Sequence, residues 1–186
     1  LTAPASADAL AGRFERLDVL VNNAGANFPG GLDESAPEGF EASVALNLNG
    51  PYRLTVALRR ALKASSAPGG AAVVNLASMS ALRAVTMVPG YSAAKAGIIA
   101  LTRTLAVKWA KDGIRVNAVA PGTIDTPMTA PVHAVPAIVA SGMAHIPLGR
   151  FGAVDEIAPT IAFLCTEQSA YTSGAVFVVD GASDCF

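Results

Sequence analysis

Four short runs of small and β-branched apolar residues punctuate this 186-residue chain, at 18–21, 71–77, 114–120 and 175–180, with stretches patterned for helix between them. Antiparallel strands can be joined by tight turns, whereas parallel strands need a crossover of a dozen or more residues, usually a helix. Strands alternating with helices therefore imply an α/β fold built on a parallel sheet. The runs at 71–77, 114–120 and 175–180 are nearly continuous in their apolar character, as expected of strands buried on both faces. The expectation is one domain spanning residues 1–186, a doubly wound parallel sheet.

Between the runs, local signals place the helices. Ser35-Ala36-Pro37-Glu38 has capping-box spacing with proline in the first turn, and predicts a helix running toward Lys63. Pro51 interrupts it, so a kink is expected just after Asn47-Leu48-Asn49-Gly50. A second helix is expected from about Ser92 to Lys111, closed by Gly113, and a third from Asp155-Glu156 through Cys165. Ala93, Ala94, Ala96, Gly97, Ile98, Ile99 and Ala100 make the first half of the second helix small and apolar nearly all round. That pattern predicts burial against both the sheet and a second surface, hence a homo-oligomer, dimer or tetramer. Residues 123–152 show no sustained period; a long irregular connection in a compact domain is usually functional, often a lid over substrate.

The bulk properties narrow the functions. The chain is 52% hydrophobic, 15% charged and formally −1, enough core material for a globular domain and no basic excess to suggest a nucleic-acid partner. Charges such as Arg103 and Lys108 break the apolar stretches before membrane-spanning length, and no basic-then-apolar leader opens the sequence, so a cytoplasmic location is expected. Cys165 and Cys185 lack metal or disulfide spacing, and His133 and His145 are too few for a zinc site.

Chemistry concentrates at the end of the 71–77 run. Ser78 follows that strand directly, and ligands of open α/β sheets bind at the carboxyl ends of strands. Thirteen residues on, Tyr91-Ser92-Ala93-Ala94-Lys95 places a phenol and an ammonium one helical turn apart on a single face. A nearby cation is how a phenol that ionises near pH ~10 becomes a usable acid or base near neutrality.

Four matches in order, Asn22-Asn23-Ala24-Gly25, Asn47-Leu48-Asn49-Gly50, Ser78 with Tyr91 and Lys95, and Pro121-Gly122-Thr123-Ile124-Asp125-Thr126, resemble the short-chain dehydrogenase/reductase family along essentially the whole chain. Ser173-Gly174 and Val179-Asp180-Gly181 resemble the family's closing strand. The resemblance implies a Rossmann-type fold, NAD or NADP as cofactor, and hydride transfer to or from a small-molecule ketone or secondary alcohol. It implies Tyr91 as general acid/base, Lys95 lowering the pKa of Tyr91 and holding the nicotinamide ribose, and Ser78 on the substrate oxygen. Asn47 would anchor a water relay from Lys95. Asn23, Ala24, Gly25, Gly122, Ile124 and Thr126 would line the cofactor, with the main chain of Ile124 against the carboxamide. Pro89, Met87, Met128, Met143 and Ile146 are candidates for an apolar substrate pocket.

One departure from the family pattern stands at the beginning. The glycine-rich Thr-Gly-x-x-x-Gly-x-Gly turn that holds the cofactor pyrophosphate is absent, and Leu1-Thr2-Ala3-Pro4 resembles the segment after the family's third strand. The expectation is of the C-terminal portion of the family fold, about three strands short, with the run at 19–21 left as an apolar sheet edge. Two alternatives stay open: a catalytically silent, cofactor-free fragment acting as a structural or interaction module, and a related epimerase or dehydratase that recycles its nicotinamide.

Overall fold

The computed structural model describes residues 4–185. Four parallel strands, β1 (Val19–Asn22), β2 (Ala71–Leu76), β3 (Ile114–Pro121) and β4 (Val176–Val179), form one sheet in the order β1-β2-β3-β4. Helices α1 (Pro4–Ala11), α2 (Pro37–Val44), α3 (Gly50–Ala57), α4 (Arg59–Lys63), α5 (Pro89–Trp109), α6 (Ala130–His133), α7 (Pro136–Met143) and α8 (Val154–Cys165) connect and flank the strands. Leu1 to Ala3, part of the segment compared with the one after the family's third strand, lie outside the described residues.

Successive residues of a strand point to opposite faces, and β2 uses both. Val73 packs with Leu54 of α3, Leu58 between α3 and α4, Leu62 of α4, and Leu105 and Trp109 of α5. Val74 packs on the other side with Ile157 and Leu164 of α8. Both valines are fully buried, each contributing roughly 1.5–3 kcal/mol relative to exposure. This two-sided core is the physical content of the expected doubly wound arrangement. Across the strands, Asn22 donates to Asn75 Oδ1 at 2.7 Å and to Thr55 Oγ1 at 2.8 Å, and Asn75 donates to Thr102 Oγ1 at 2.9 Å. That buried polar ladder ties β1 and β2 to α3 and α5 in register.

Several local expectations are corrected. Ser35 does not cap α2: the helix begins one residue later, after Ala36, which has no side-chain cap. Asp33 instead turns the chain, its Oδ1 accepting the Ser35 amide at 2.9 Å and its carbonyl the Ala36 amide at 3.1 Å. The kink before Pro51 is a π-helical turn, Ala45–Asn49, and α4 follows α3 as a separate short helix. α5 starts at Pro89 rather than near Ser92, because proline suits the first helical position, where no amide donor is needed. Gly113 closes it as expected, at φ 72°. Residues 123–152 are not irregular throughout, since α6 and α7 occupy part of them. β4 is half-buried rather than buried, because it is a sheet edge with Val178 exposed. β1 is the other edge, where Val19 and Val21 are exposed.

Among the described residues, no helix is long and apolar enough to cross a membrane.

Candidate active site

The carboxyl ends of β2 and β3 and the loop after β1 open into a cleft of about 360 Å³, within the range of small-molecule sites. Eight of the predicted site residues line it: Asn23, Gly25, Ser78, Tyr91, Lys95, Gly122, Ile124 and Thr126. They are brought together because β1, β2 and β3 run the same way, so the segments after each strand converge on one rim. Ala24 is exposed on the loop beside the cleft, and Asn47, fully buried, stands behind its wall.

Tyr91 and Lys95 lie one turn apart on α5, with the Lys95 ammonium 5.4 Å from the centroid of the Tyr91 ring. Lys95 is 4% exposed, and its Nζ donates to the Leu76 carbonyl at the end of β2 at 2.6 Å. Burial disfavours its charge and brings its pKa down to about 8. The Tyr91 phenol is pushed above its ordinary value by burial, with the charge of Glu34 adding to the rise and a hydrogen bond with the Ser78 side chain opposing it. The direction runs against the expectation that Lys95 depresses Tyr91, because desolvation outweighs the other influences in this arrangement. Ser78 adopts extended geometry at the start of the 3₁₀ turn Met79–Ala81, and its Oγ also accepts the Ser80 amide at 3.2 Å.

Asn47 occupies the π-helical turn. Its Nδ2 donates to the Ala26 carbonyl at 2.8 Å and the Ser43 carbonyl at 2.9 Å, while its Oδ1 accepts the Ala26 amide at 3.1 Å. The side chain thereby pins the loop that carries Asn23, Ala24 and Gly25. A Cβ at Gly25 would lie 2.6 Å from Asn47 Oδ1 and 3.4 Å from Lys95 Nζ, so only glycine lets this loop run against both. Pro51, four residues after Asn47, has no N–H, so the Asn47 main-chain carbonyl loses the donor that α-helical register would supply.

Three contributors were missed in the sequence. Glu34 is 1% exposed, and its carboxylate accepts the Tyr91 amide at 2.7 Å, the Phe28 amide at 2.9 Å and the Ser43 hydroxyl at 3.2 Å. Thr129 lines the cleft and organises its floor, its Oγ1 donating to the Ile124 carbonyl at 2.7 Å and accepting the Thr126 amide at 3.0 Å. The apolar wall comes from Val154, Ile157, Ala158 and Ile161 of α8. Their spacing, one helical face, was legible as a stripe; that the stripe faces a cleft was not. Of the five apolar candidates only Met128 lines the cleft. Met87 and Pro89 are exposed, and Ile146 is buried away from it.

A family model described as enoyl-(acyl carrier protein) reductase matches residues 2–182. An uncharacterized short-chain type dehydrogenase/reductase of Sinorhizobium fredii is 40% identical over 171 residues, 91% of this chain. The chain belongs to the short-chain dehydrogenase/reductase family. It spans 30% of the S. fredii relative. The cis-4-hydroxycyclohexanecarboxylate dehydrogenase of Sinomonas cyclohexanicum is 40% identical over 176 residues, covering 94% of this chain and 68% of that protein. Among solved structures, a putative 2-deoxy-D-gluconate 3-dehydrogenase from Agrobacterium tumefaciens with bound NADP superposes with a TM-score of 0.87 at 33% identity, covering 99% of this chain and 75% of that one. The family's Rossmann-type α/β architecture, with its parallel sheet flanked by helices, is the fold of this chain.

Proposed function

We propose that the chain carries the proton-handling part of an NAD- or NADP-dependent oxidoreductase that interconverts a small ketone and its secondary alcohol, with Tyr91 as general acid/base. The observation that carries this reading is the meeting, in one cleft, of the Ser78 hydroxyl, the Tyr91 phenol and a buried ammonium 5.4 Å from the centre of the Tyr91 ring.

The residues present fit the reacting end of a nicotinamide nucleotide. Gly25 and Gly122 line the cleft and also pack tightly on the protein behind it, where a Cβ would lie 2.6 Å from Asn47 Oδ1 and 2.7 Å from the Asp180 backbone; without side chains they leave main chain to face a ligand. An ammonium has three donors; one of those of Lys95 goes to the Leu76 carbonyl, and the others suit vicinal ribose hydroxyls. Bound nicotinamide supplies or accepts the hydride. The chain's own residues manage the proton: in reduction the Tyr91 O–H gives its proton to the carbonyl oxygen, while the Ser78 hydroxyl donates to the same oxygen and stabilises the charge developing there. A phenol held above its ordinary pKa stays protonated at neutral pH, which suits it to the reductive direction. Lys95 restores the phenol's proton, and the Asn47 carbonyl, deprived of its helical donor by Pro51, is the proposed anchor of a water leading onward. The exposed Ala93, Ala96 and Ala100 on α5 support a homo-oligomeric assembly through that face.

NADPH and NADH titrations followed by nicotinamide fluorescence test cofactor binding directly; no saturable binding by the chain would favour the silent-module reading. With a ketone substrate, Tyr91→Phe is expected to lower kcat by about 10²–10⁴-fold with little change in cofactor affinity. Full activity in that variant would exclude Tyr91 as the acid/base.

A further inference from the structure

α5 carries Tyr91 in its first turn yet has no cap of its own. Its N-cap residue, Val88, is apolar and makes no side-chain bond, and Pro89 at the first position has no N–H. The Tyr91 amide, at the third position, is one a capping side chain ordinarily satisfies. It is satisfied instead from 57 residues away, by Glu34 Oε2 at 2.7 Å. The other oxygen of that carboxylate accepts the Phe28 amide at 2.9 Å and the Ser43 hydroxyl at 3.2 Å. Ser43 Oγ in turn accepts Asn47 Nδ2 at 3.2 Å. One fully buried carboxylate therefore joins the loop after β1, the end of α2, the π-helical turn and the first turn of α5. A lone buried carboxylate is costly; this one holds three donors and sits at the positive end of a 21-residue helix.

We propose that Glu34 is a positioning residue for Tyr91, fixing the first turn of α5 so that the phenol meets Ser78 and holding it as a proton donor. The inference rests on the acid/base role proposed for Tyr91, but its physical content is independent of turnover. The charged groups facing Tyr91 are Lys95 from its own helix and Glu34 from the loop before α2. Glu38 and Glu41 of α2 are exposed, the Met79–Ala81 turn brings no charge, and Arg83 beyond it donates to the Ser183 carbonyl. Glu34 is thus the anion that opposes phenolate formation, and its charge pushes in the same direction as burial.

The test uses the full chain labelled with ¹³Cζ-tyrosine, followed by NMR across alkaline pH. The chain has three tyrosines, so the Tyr91 signal is assigned by its loss in Tyr91→Phe, while Tyr52 and Tyr171 serve as internal references. Glu34→Gln preserves shape but removes the charge and turns an amide group toward donors; it should lower the Tyr91 midpoint and leave Tyr52 and Tyr171 unmoved. Glu34→Asp, which keeps the charge, should leave the Tyr91 midpoint closer to that of the parent than Glu34→Gln does. A Tyr91 midpoint unchanged in Glu34→Gln would overturn the proposal, whether or not the chain proves to be an oxidoreductase. Should Glu34→Gln not fold, hydrogen exchange of the Tyr91 amide in the unaltered chain decides: bonded to Glu34 Oε2, it must be protected, and exchange at the rate of an open helix end overturns the assignment.

Discussion

Replacing Lys95 by methionine should remove a rise in the stability of the folded chain between about pH 8 and 10.5. Lys95 is 4% exposed, and burial brings its pKa from 10.5 to about 8. A shift of that size corresponds to about 3 kcal/mol weighing on the folded state wherever the lysine is charged in both states. Because the folded value lies below the unfolded one, the folded protein releases its proton first as pH rises. The unfolded chain then binds more protons, and stability climbs between about pH 8 and 10.5 until the penalty is gone. Methionine carries no such penalty but leaves the Leu76 carbonyl without its 2.6 Å partner, a loss of about 1–3 kcal/mol. At pH 7 the two effects partly cancel; the pH dependence does not. Urea unfolding of Lys95→Met and the parent, both in a Tyr91→Phe background, removes the opposite contribution of the phenol, whose raised pKa makes stability fall at high pH. The difference between the two proteins should swing toward the lysine form by about 3 kcal/mol across that window. A constant difference from pH 7 to 10 would refute the reasoning, since it would mean that Lys95 keeps an ordinary pKa and is not held dry in the cleft wall.

Two further outcomes follow from local geometry. A Cβ at Gly90 would lie 2.9 Å from Phe40 Cα and 3.0 Å from Ser43 Cβ, so Gly90→Ala should force α2 away from α5 and lower stability by about 1–3 kcal/mol, seen as a lower melting temperature; an unchanged melt would show that the crossing relaxes freely. Glu156 is held at a pKa of about 2, first by its ion pair with Arg150 at 2.6 Å and then by the Ala153 amide. Its stabilising effect should be present above the usual carboxylate pKa and fade as pH falls through about 2, so Glu156→Gln should flatten the melting-temperature profile over that acid range; an unaltered profile would mean that the pair holds nothing.

The alternation of apolar runs with helical stretches was enough to place four parallel strands, because a strand buried on both faces must be continuous in its apolar character and its crossovers must be long. The motif residues were legible for a related reason: Ser78, Tyr91 and Gly25 follow strand ends or open a helix, where the local pattern itself announces a rim. Boundaries were less so. Ser35 had the spacing of a cap, but the Asp33 turn took the amide that would have defined it, a competition that local spacing does not reveal.

What the sequence determined by itself is the class of fold and the chemical types gathered for the site, since both are written in periodicity and in side chains. The tertiary structure decided which groups act on one another. Glu34 reads along the chain as one acid in a polar loop, and only packing places its carboxylate at the head of a helix 57 residues on. Tyr91 and Lys95 share a helical face in sequence, yet whether the pair lowers or raises the phenol's pKa depends on burial, which raises it. Desolvation and long-range hydrogen bonds are properties of neighbourhood in space, and a linear order carries them only where the neighbours happen to be local.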